Sequence, residues 1–297
     1  MMEQRFADLF ASGSQVPLEI AEREITLTYV LKLFQDSEVL QELAFKGGTA
    51  LRKCIYGKET RFSLDLDFTR TGKEIDAEDL ILRLVEILTQ SAYGIHFSVE
   101  TKDFYVSDDR SSCGAVIGYR HDWHQAIFKL EISLREKPAL PLVSMPLKSQ
   151  PYFKHLEFSA FSVPCLQFEE LLAEKIRAAS QRVRARDLYD LARAAEKPFN
   201  VDLIRSLAVI KCWNVRDPFD PQKFFERIQS SKYDWDDLKQ LLRRSEKLDT
   251  KRMIAACRKR YQFLENLTQD EINVIADTKR HRLKETTVAE RLLNRKK

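Results

Sequence analysis

Two glycines and a threonine, Gly47, Gly48 and Thr49, and two aspartates one residue apart, Asp65 and Asp67, stand within the single stretch FKGGTALRKCIYGKETRFSLDLDF from Phe45 to Phe68. Paired glycines let a backbone come close to an anion, and a helix beginning near Thr49 would aim its free N–H groups at that anion. A phosphate suits such a turn. Side chains alternate along a strand, so Asp65 and Asp67 would share one face with Cα atoms about 6.5 to 7 Å apart. Hard oxygen ligands on one rigid surface suit Mg²⁺, a metal that also holds substrate phosphates. The two halves together point to transfer of a nucleotide or phosphoryl group.

The elements that would position these residues follow from hydrophobic spacing. Leu27, Val30, Leu31 and Phe34 lie at i, i+3, i+4 and i+7 and predict a helix over Ile20 to Phe34, with a short second helix at Glu38 to Glu42. Phe62, Leu64, Leu66 and Phe68 alternate with Ser63, Asp65 and Asp67, so a strand from Phe62 to Phe68 would turn its carboxylates away from the core. A helix is expected over Ala77 to Tyr93, then strands over Phe97 to Tyr105, Ala115 to Tyr119 and Ala126 to Leu134. In the last of these Leu130, Ile132 and Leu134 alternate with Lys129, Glu131 and Ser133, which makes Glu131 a third carboxylate that a neighbouring strand could present. After a proline-rich connection from Pro138 to Pro151, one further short strand is expected over Phe158 to Pro164.

From Phe168 onward the pattern is helical, in segments 168–183, 185–196, 201–211, 221–230, 235–246, 249–266 and 270–293. The expected fold class is therefore α/β of the α+β kind: a mixed-sheet domain over 1–165, then a helical domain over 166–297. In FEELLAEKIRAAS, at about 100° per residue from Phe168, Leu171, Leu172, Ile176 and Ala179 fall within about 80° of it and Lys175 within about 20°. A lysine at the centre of an inward face needs an anionic partner, either a ligand phosphate or a buried carboxylate. The next helix carries Asp187 at the edge of a stripe of Leu188, Leu191, Ala192 and Ala195 and places Asp190 on the far side, where an ordinary surface charge is expected.

Composition sets the bounds. The 297 residues, 44% hydrophobic, can build one large domain or two ordinary ones, and low counts of Gly (8) and Pro (9) disfavour long flexible linkers. Net charge is +4 and pI about 8.7, too mild to establish nucleic-acid binding on its own. Basic residues nevertheless gather at Lys175, Arg177, Arg182, Arg184 and Arg186, and again from Lys279 to Lys297. Five scattered cysteines form no C-x-x-C pair, which predicts reduced structural thiols. With no signal-peptide core and no long apolar run, a cytoplasmic protein with no membrane role is expected. His121 and His124 in HisAspTrpHis could share one side of a turn, but no acidic third ligand is evident for zinc. The GxxxxGK[ST] loop is absent, which argues against a P-loop NTPase.

GGTALRK, RFSLDLDF, KLEISLRE and FEELLAEKIRAASQRVRARDLYDL, in that order over roughly residues 40 to 195, resemble the AbiEii/AbiGii toxin family of nucleotidyltransferases, to which the MenT toxins belong. The resemblance implies a domain like the palm of DNA polymerase β followed by a helical domain, and transfer of a nucleoside monophosphate from an NTP. It implies Gly48 and Thr49 at the triphosphate; Gly47 opens the same turn, and Ser63, between Arg61 and Asp65, could touch a phosphate or face solvent. It implies Asp65 and Asp67 on Mg²⁺ or Mn²⁺, Glu131 as third acidic residue, and Lys175 and Asp187 as second-motif residues that the helical domain contributes. It also implies a toxin of a type IV toxin–antitoxin, abortive-infection or phage-defence pair, a tRNA acceptor, and an AbiEi-type antitoxin encoded upstream. Two other readings keep the nucleotide pocket: a regulator that binds nucleotide without turnover, and a nucleotidyltransferase whose acceptor is a protein or small molecule.

Overall fold

Residues 2–72, 76–89, 91–279 and 292–293 are described in the computed structural model, and the chain divides into two units: Met1–Leu166 with Leu241–Glu246, and Gln167–Gln240 with Lys247–Lys297. The basic tail beyond Lys279, and with it the end of the 270–293 segment apart from 292–293, lies outside the described residues.

The first unit opens with helices α1 (Gln4–Ser14) and α2 (Leu18–Asp36), then strand β1 (Leu43–Lys46). β1 runs directly into α3 (Gly47–Ala50), which continues as a π-helical turn over Leu51–Tyr56. Next come β2 (Leu66–Arg70), α4 (Ala77–Leu88), β3 (Ser91–Ala92), β4 (Ile95–Ser98), β5 (Phe104–Val106), β6 (Ser112–Arg120), β7 (Gln125–Ser133), β8 (Val143–Pro146) and β9 (Ser162–Cys165). These strands form one mixed sheet in the order β3-β4-β6-β7-β2-β1-β9-β8, with β5 on β6. β2 pairs parallel to β7 and β1 parallel to β9, while the remaining pairs are antiparallel. Mixed α/β architecture is thus what the alternation predicted.

Several boundaries differ from expectation, each for a local reason. The strand before Phe68 starts only at Leu66, because the Phe62 N–H donates to the Leu241 carbonyl at 2.8 Å instead of joining a ladder. Helix α4 begins at the side-chain cap of Asp76 and stops at Leu88, and positive φ at Tyr93 and Gly94 turns β3 back onto β4. The segment expected as one strand over Phe97 to Tyr105 is two, split by a 3-10 turn at Thr101–Asp103. Helix α1 and strand β8 were not expected. Yet α1 buries Ala7, Phe10, Ala11 and Ser14 at helical spacing.

Helix α2 is buried on nearly every side, not only along the Leu27–Phe34 stripe, and so carries carboxylates into the interior. Glu24, fully buried, accepts from Arg52 Nε at 2.9 Å and from Lys53 Nζ at 3.2 Å, and Lys53 also donates to Thr28 Oγ1 at 2.8 Å. Burial alone would push the Glu24 carboxyl up, but Arg52 and Lys53 together hold it below its ordinary range. Both cations come from the π-helical turn that follows Thr49, so this cluster fixes the turn against α2. All five cysteines are buried outside any disulfide.

The second unit is helical: α5 (Phe168–Gln181), α6 (Ala185–Ala195), α7 (Val201–Asn214), α8 (Pro221–Ile228), α9 (Trp235–Lys239), α10 (Thr250–Arg260) and α11 (Gln269–Ala276). Side-chain caps from Asn200, Asp220, Asp234, Asp249 and Thr268 explain where five of these begin. The helix expected over 235–246 ends at Lys239, and the one expected over 249–266 breaks at Arg260. Inside, Lys211 pairs with the fully buried Glu170 at 2.6 Å and Arg205 with Glu271 at 2.8 Å.

Replacing Glu24 by Ala leaves Arg52 and Lys53 buried without their shared carboxylate. Urea denaturation should show a loss of about 3–5 kcal/mol, the cost of breaking a buried pair from one side.

Candidate active site

One row of the sheet gathers the chemistry. Lys46 on β1 stands opposite Asp67 on β2, Asp67 opposite Glu131 on β7, Glu131 opposite Gly114 on β6, and Gly114 opposite Tyr105 on β5. Directly paired residues project to the same face. The row therefore sets Lys46, Asp67, Glu131 and Tyr105 on one side, with nothing at Gly114 to separate the last two. Like charges directly opposite are unfavourable in a sheet, and Asp67 beside Glu131 is such a pair.

Asp65 lies just before β2, in a bend, and reaches the neighbouring strand differently: its Oδ1 accepts from the Lys129 backbone N–H at 3.4 Å. The Thr49 side chain is fully buried and donates to the Asp65 carbonyl, so α3 holds the Asp65 bend directly. What Thr49 offers an anion is its backbone, because its hydroxyl is already engaged.

Both glycines are explained by what touches them. Gly47 has φ of +75°, and a Cβ there would sit 2.7 Å from Asp67 Cγ, inside the carboxylate's own space. A Cβ on Gly48 would lie 2.6 Å from Arg61 Nη2 and 3.0 Å from Ser63 Oγ. Arg61 and Ser63 are both buried, and Arg61 Nη1 donates to the Phe62 carbonyl at 3.0 Å. The start of α3, which has no side-chain cap, is thus flanked by a carboxylate on one glycine and by a guanidinium and a hydroxyl on the other.

Tyr105 and Lys46 escaped the sequence reading. The Tyr105 ring lies against Gly114, where a Cβ would come within 2.8 Å of Cε1 and Cζ. Its hydroxyl is pushed up to about 12, first by burial and then by the negative charge of Glu131, with Cys113 and Asp67 adding to it. Tyr105 therefore stays a neutral hydrogen-bond donor beside the carboxylates across the physiological range.

In the helical unit, Lys175 is the centre of an ion cluster: its Nζ stands 3.0 Å from Asp187 Oδ1 and 2.8 Å from Asp190 Oδ2, and Arg182 Nε adds 2.8 Å to Asp187 Oδ2. The buried carboxylate that an inward lysine requires is present, twice. Asp190, expected on the far side as a surface charge, is instead buried with Asp187, because α6 is covered around most of its circumference and the two stand three residues apart on one face. Burial by itself raises the Asp187 carboxyl, but Lys175 and then Arg182 bring it well below the usual range. Arg186 pairs outside this cluster, with Asp237 at 2.8 Å.

The histidine pair is engaged in a different way. Buried Glu22 on α2 is the acidic group near both rings, its Oε1 3.2 Å from His121 Nε2 and its Oε2 2.5 Å from His124 Nδ1. Among the described residues no group of three His, Cys, Asp or Glu gathers its donors closely enough to hold a metal ion, here or at the carboxylate row. The row still has the donor chemistry for a hard cation, since Asp67 and Glu131 sit on adjacent strands with Asp65 at their edge.

Gly47→Ala should lower stability by about 1–3 kcal/mol, from positive φ and the displaced Asp67 carboxylate, and should reduce nucleotide transfer well beyond what unfolding explains. Denaturation and activity measured on one preparation separate the two effects. For Asp187 the folded-state value is depressed, so its stabilisation is present above the ordinary aspartate value of about 3.9 and is lost as pH falls below it. The stability gap between wild type and Asp187→Asn should accordingly hold near pH ~7 and shrink below about pH 4, as read by urea titration at each pH.

Residues 30–292 match the family described as nucleotidyl transferase AbiEii toxin, type IV TA system. Among solved structures the chain is similar to MenT4, a nucleotidyltransferase toxin from Mycobacterium tuberculosis, at 26% identity and a TM-score of 0.82, covering 98% of this chain and 99% of that one. It has 21% identity and a TM-score of 0.49 to JHP933 from Helicobacter pylori, covering 88% of this chain and 100% of that one. No curated protein matches it in sequence. Among the described residues no helix is long and apolar enough to cross a membrane. The family match over most of the chain, with the fold of a MenT toxin, makes this protein a member of the AbiEii nucleotidyltransferase toxins of type IV toxin–antitoxin systems.

Proposed function

We propose that the protein transfers a nucleoside monophosphate from an NTP to an RNA acceptor, with tRNA the leading candidate, and that an AbiEi-type antitoxin restrains it in the cytoplasm as part of a defence against phage. The observation that carries the catalytic part is the in-register pair of Asp67 and Glu131, with Asp65 at its edge and the uncapped start of α3 beside it. Asp65, Asp67 and Glu131 would hold a divalent ion, Mg²⁺ or Mn²⁺. That ion would supply neutralisation of the charge that builds on the transferring phosphoryl group.

The chain's own residues do the rest. Backbone N–H groups at Gly47, Gly48 and Thr49 cradle triphosphate oxygens at the helix start, where the helix dipole also favours the negative charge of the pyrophosphate that leaves as the acceptor oxygen bonds the α-phosphorus. Arg61 and Ser63, packed against Gly48, lie where further phosphate oxygens would come. Glu131 orients the acceptor hydroxyl and takes its proton, and the neutral Tyr105 side chain stands beside the same carboxylates. In the helical unit, Lys175 pairs with Asp187 and Asp190, and the family resemblance gives both Lys175 and Asp187 a role in handling the nucleotide.

The test is incubation of the purified protein with a divalent ion, total tRNA and each labelled NTP in turn. Label should enter RNA, and Asp67→Ala should lower the rate at least about a hundredfold, because an interaction of several kcal/mol with developing charge is removed. No label in any RNA, or undiminished transfer by Asp67→Ala, would refute the reading.

A further inference from the structure

The strand alternation that buries Ala115, Ile117, Leu130 and Ile132 against Leu84 of α4 leaves the opposite face of β4, β6 and β7 open. The carboxylate row stands at one end of that open face. From Glu131 it continues along β7 through Lys129 and Ile127 to Gln125, and along β6 from Gly114 through Val116 and Gly118 to Arg120. Six residues of strand extend it about 20 Å from the site.

Three properties define what this face fits. It is flat where it adjoins β4, since a Cβ at Gly118 would stand 2.6 Å from Ser98 Oγ, and a shallow groove of about 580 Å³ runs there between Gly118, Arg120 and Ile127. It is positive, since on β4, β6 and β7 its strand positions beyond Glu131 carry Lys129 and Arg120 and no carboxylate. It also exposes large apolar side chains that most soluble sheets cover: Ile127 is 55% exposed and Tyr105 42%.

We propose that this open sheet face is the seat of an unpaired RNA acceptor end, with bases resting on Tyr105 and Ile127, phosphates on Lys129 and Arg120, and the terminal hydroxyl delivered to Asp67 and Glu131. The inference rests on the RNA-acceptor reading above and names the surface that reading requires. A small-molecule acceptor has no use for a cation such as Arg120, about 20 Å along the strands from Glu131. Aromatic and apolar shelves next to cations recognise single strands, whose bases are free to stack, and not duplexes, whose bases are hidden.

The experiment measures binding of a short fluorescein-labelled single-stranded RNA by anisotropy over a salt series, alongside NMP transfer to RNA and the KM for NTP. The double variant Arg120→Glu, Ile127→Asp should weaken RNA binding at least about tenfold and flatten the salt dependence, since a phosphate contact is lost. Its KM for NTP should stay at the wild-type value. Tyr105→Ala should raise the acceptor KM, and Tyr105→Phe should restore it, because the ring and not the hydroxyl carries the stacking. Circular dichroism establishes that each variant is folded. RNA binding by the double variant equal to wild type, no binding by wild type, or equal binding of a duplex would overturn the assignment. If wild type binds the single strand through this face yet labels no RNA, the surface stands and the proposed reaction fails.

Discussion

The parallel pairing of β2 with β7 is the constraint on which the rest depends. It brings Asp67 next to Glu131 in a register that costs energy by like-charge repulsion, on the open side of a sheet whose other side is packed. A sheet bearing this pair is more stable when a cation, or a substrate carrying one, lies between the carboxylates. The neighbouring features lead to the same point. Gly47 exists in a positive-φ conformation under the Asp67 carboxylate, Gly114 makes room for the Tyr105 ring, and Thr49 fastens the Asp65 bend to the helix start. Each is a local sacrifice of conformational freedom or of a side chain that brings donors and acceptors into one row.

The buried ion clusters elsewhere solve a different problem. Glu24 with Arg52 and Lys53 holds the π-helical turn behind the glycines onto α2, so the glycine turn is anchored from the protein interior. Lys175 with Asp187 and Asp190 forms a comparable cluster inside the helical unit, where two buried carboxylates share one half-buried lysine. In both, a cation and a carboxylate that would each be costly alone become tolerable together. Rigid support of this kind lets a site keep exposed, mutually repelling groups in place.

Much of the fold was legible because alternation and helical spacing are local properties. The strands carrying Asp67 and Glu131, and the inward direction of Lys175, followed from period alone. Register did not, since which residue of β7 faces Asp67 is decided by packing between segments far apart in the chain. Tyr105 shows how a small local event hides a residue. Read as one strand from Phe97, it shares the core face with Phe97; the 3-10 turn at Thr101–Asp103 shifts the phase and sends it to the opposite face. Asp190 was misread because a stripe defines one inward face, whereas α6 is enclosed on several.

The central claim, that Asp67 and Glu131 form the seat of a cation shared with the nucleotide, is tested most directly by anomalous diffraction. Crystals grown with Mn²⁺ and a non-hydrolysable NTP should show a manganese peak between these two carboxylates, in contact with a triphosphate that reaches the start of α3. A nucleotide bound elsewhere, or manganese bound away from Asp67 and Glu131, would contradict the account.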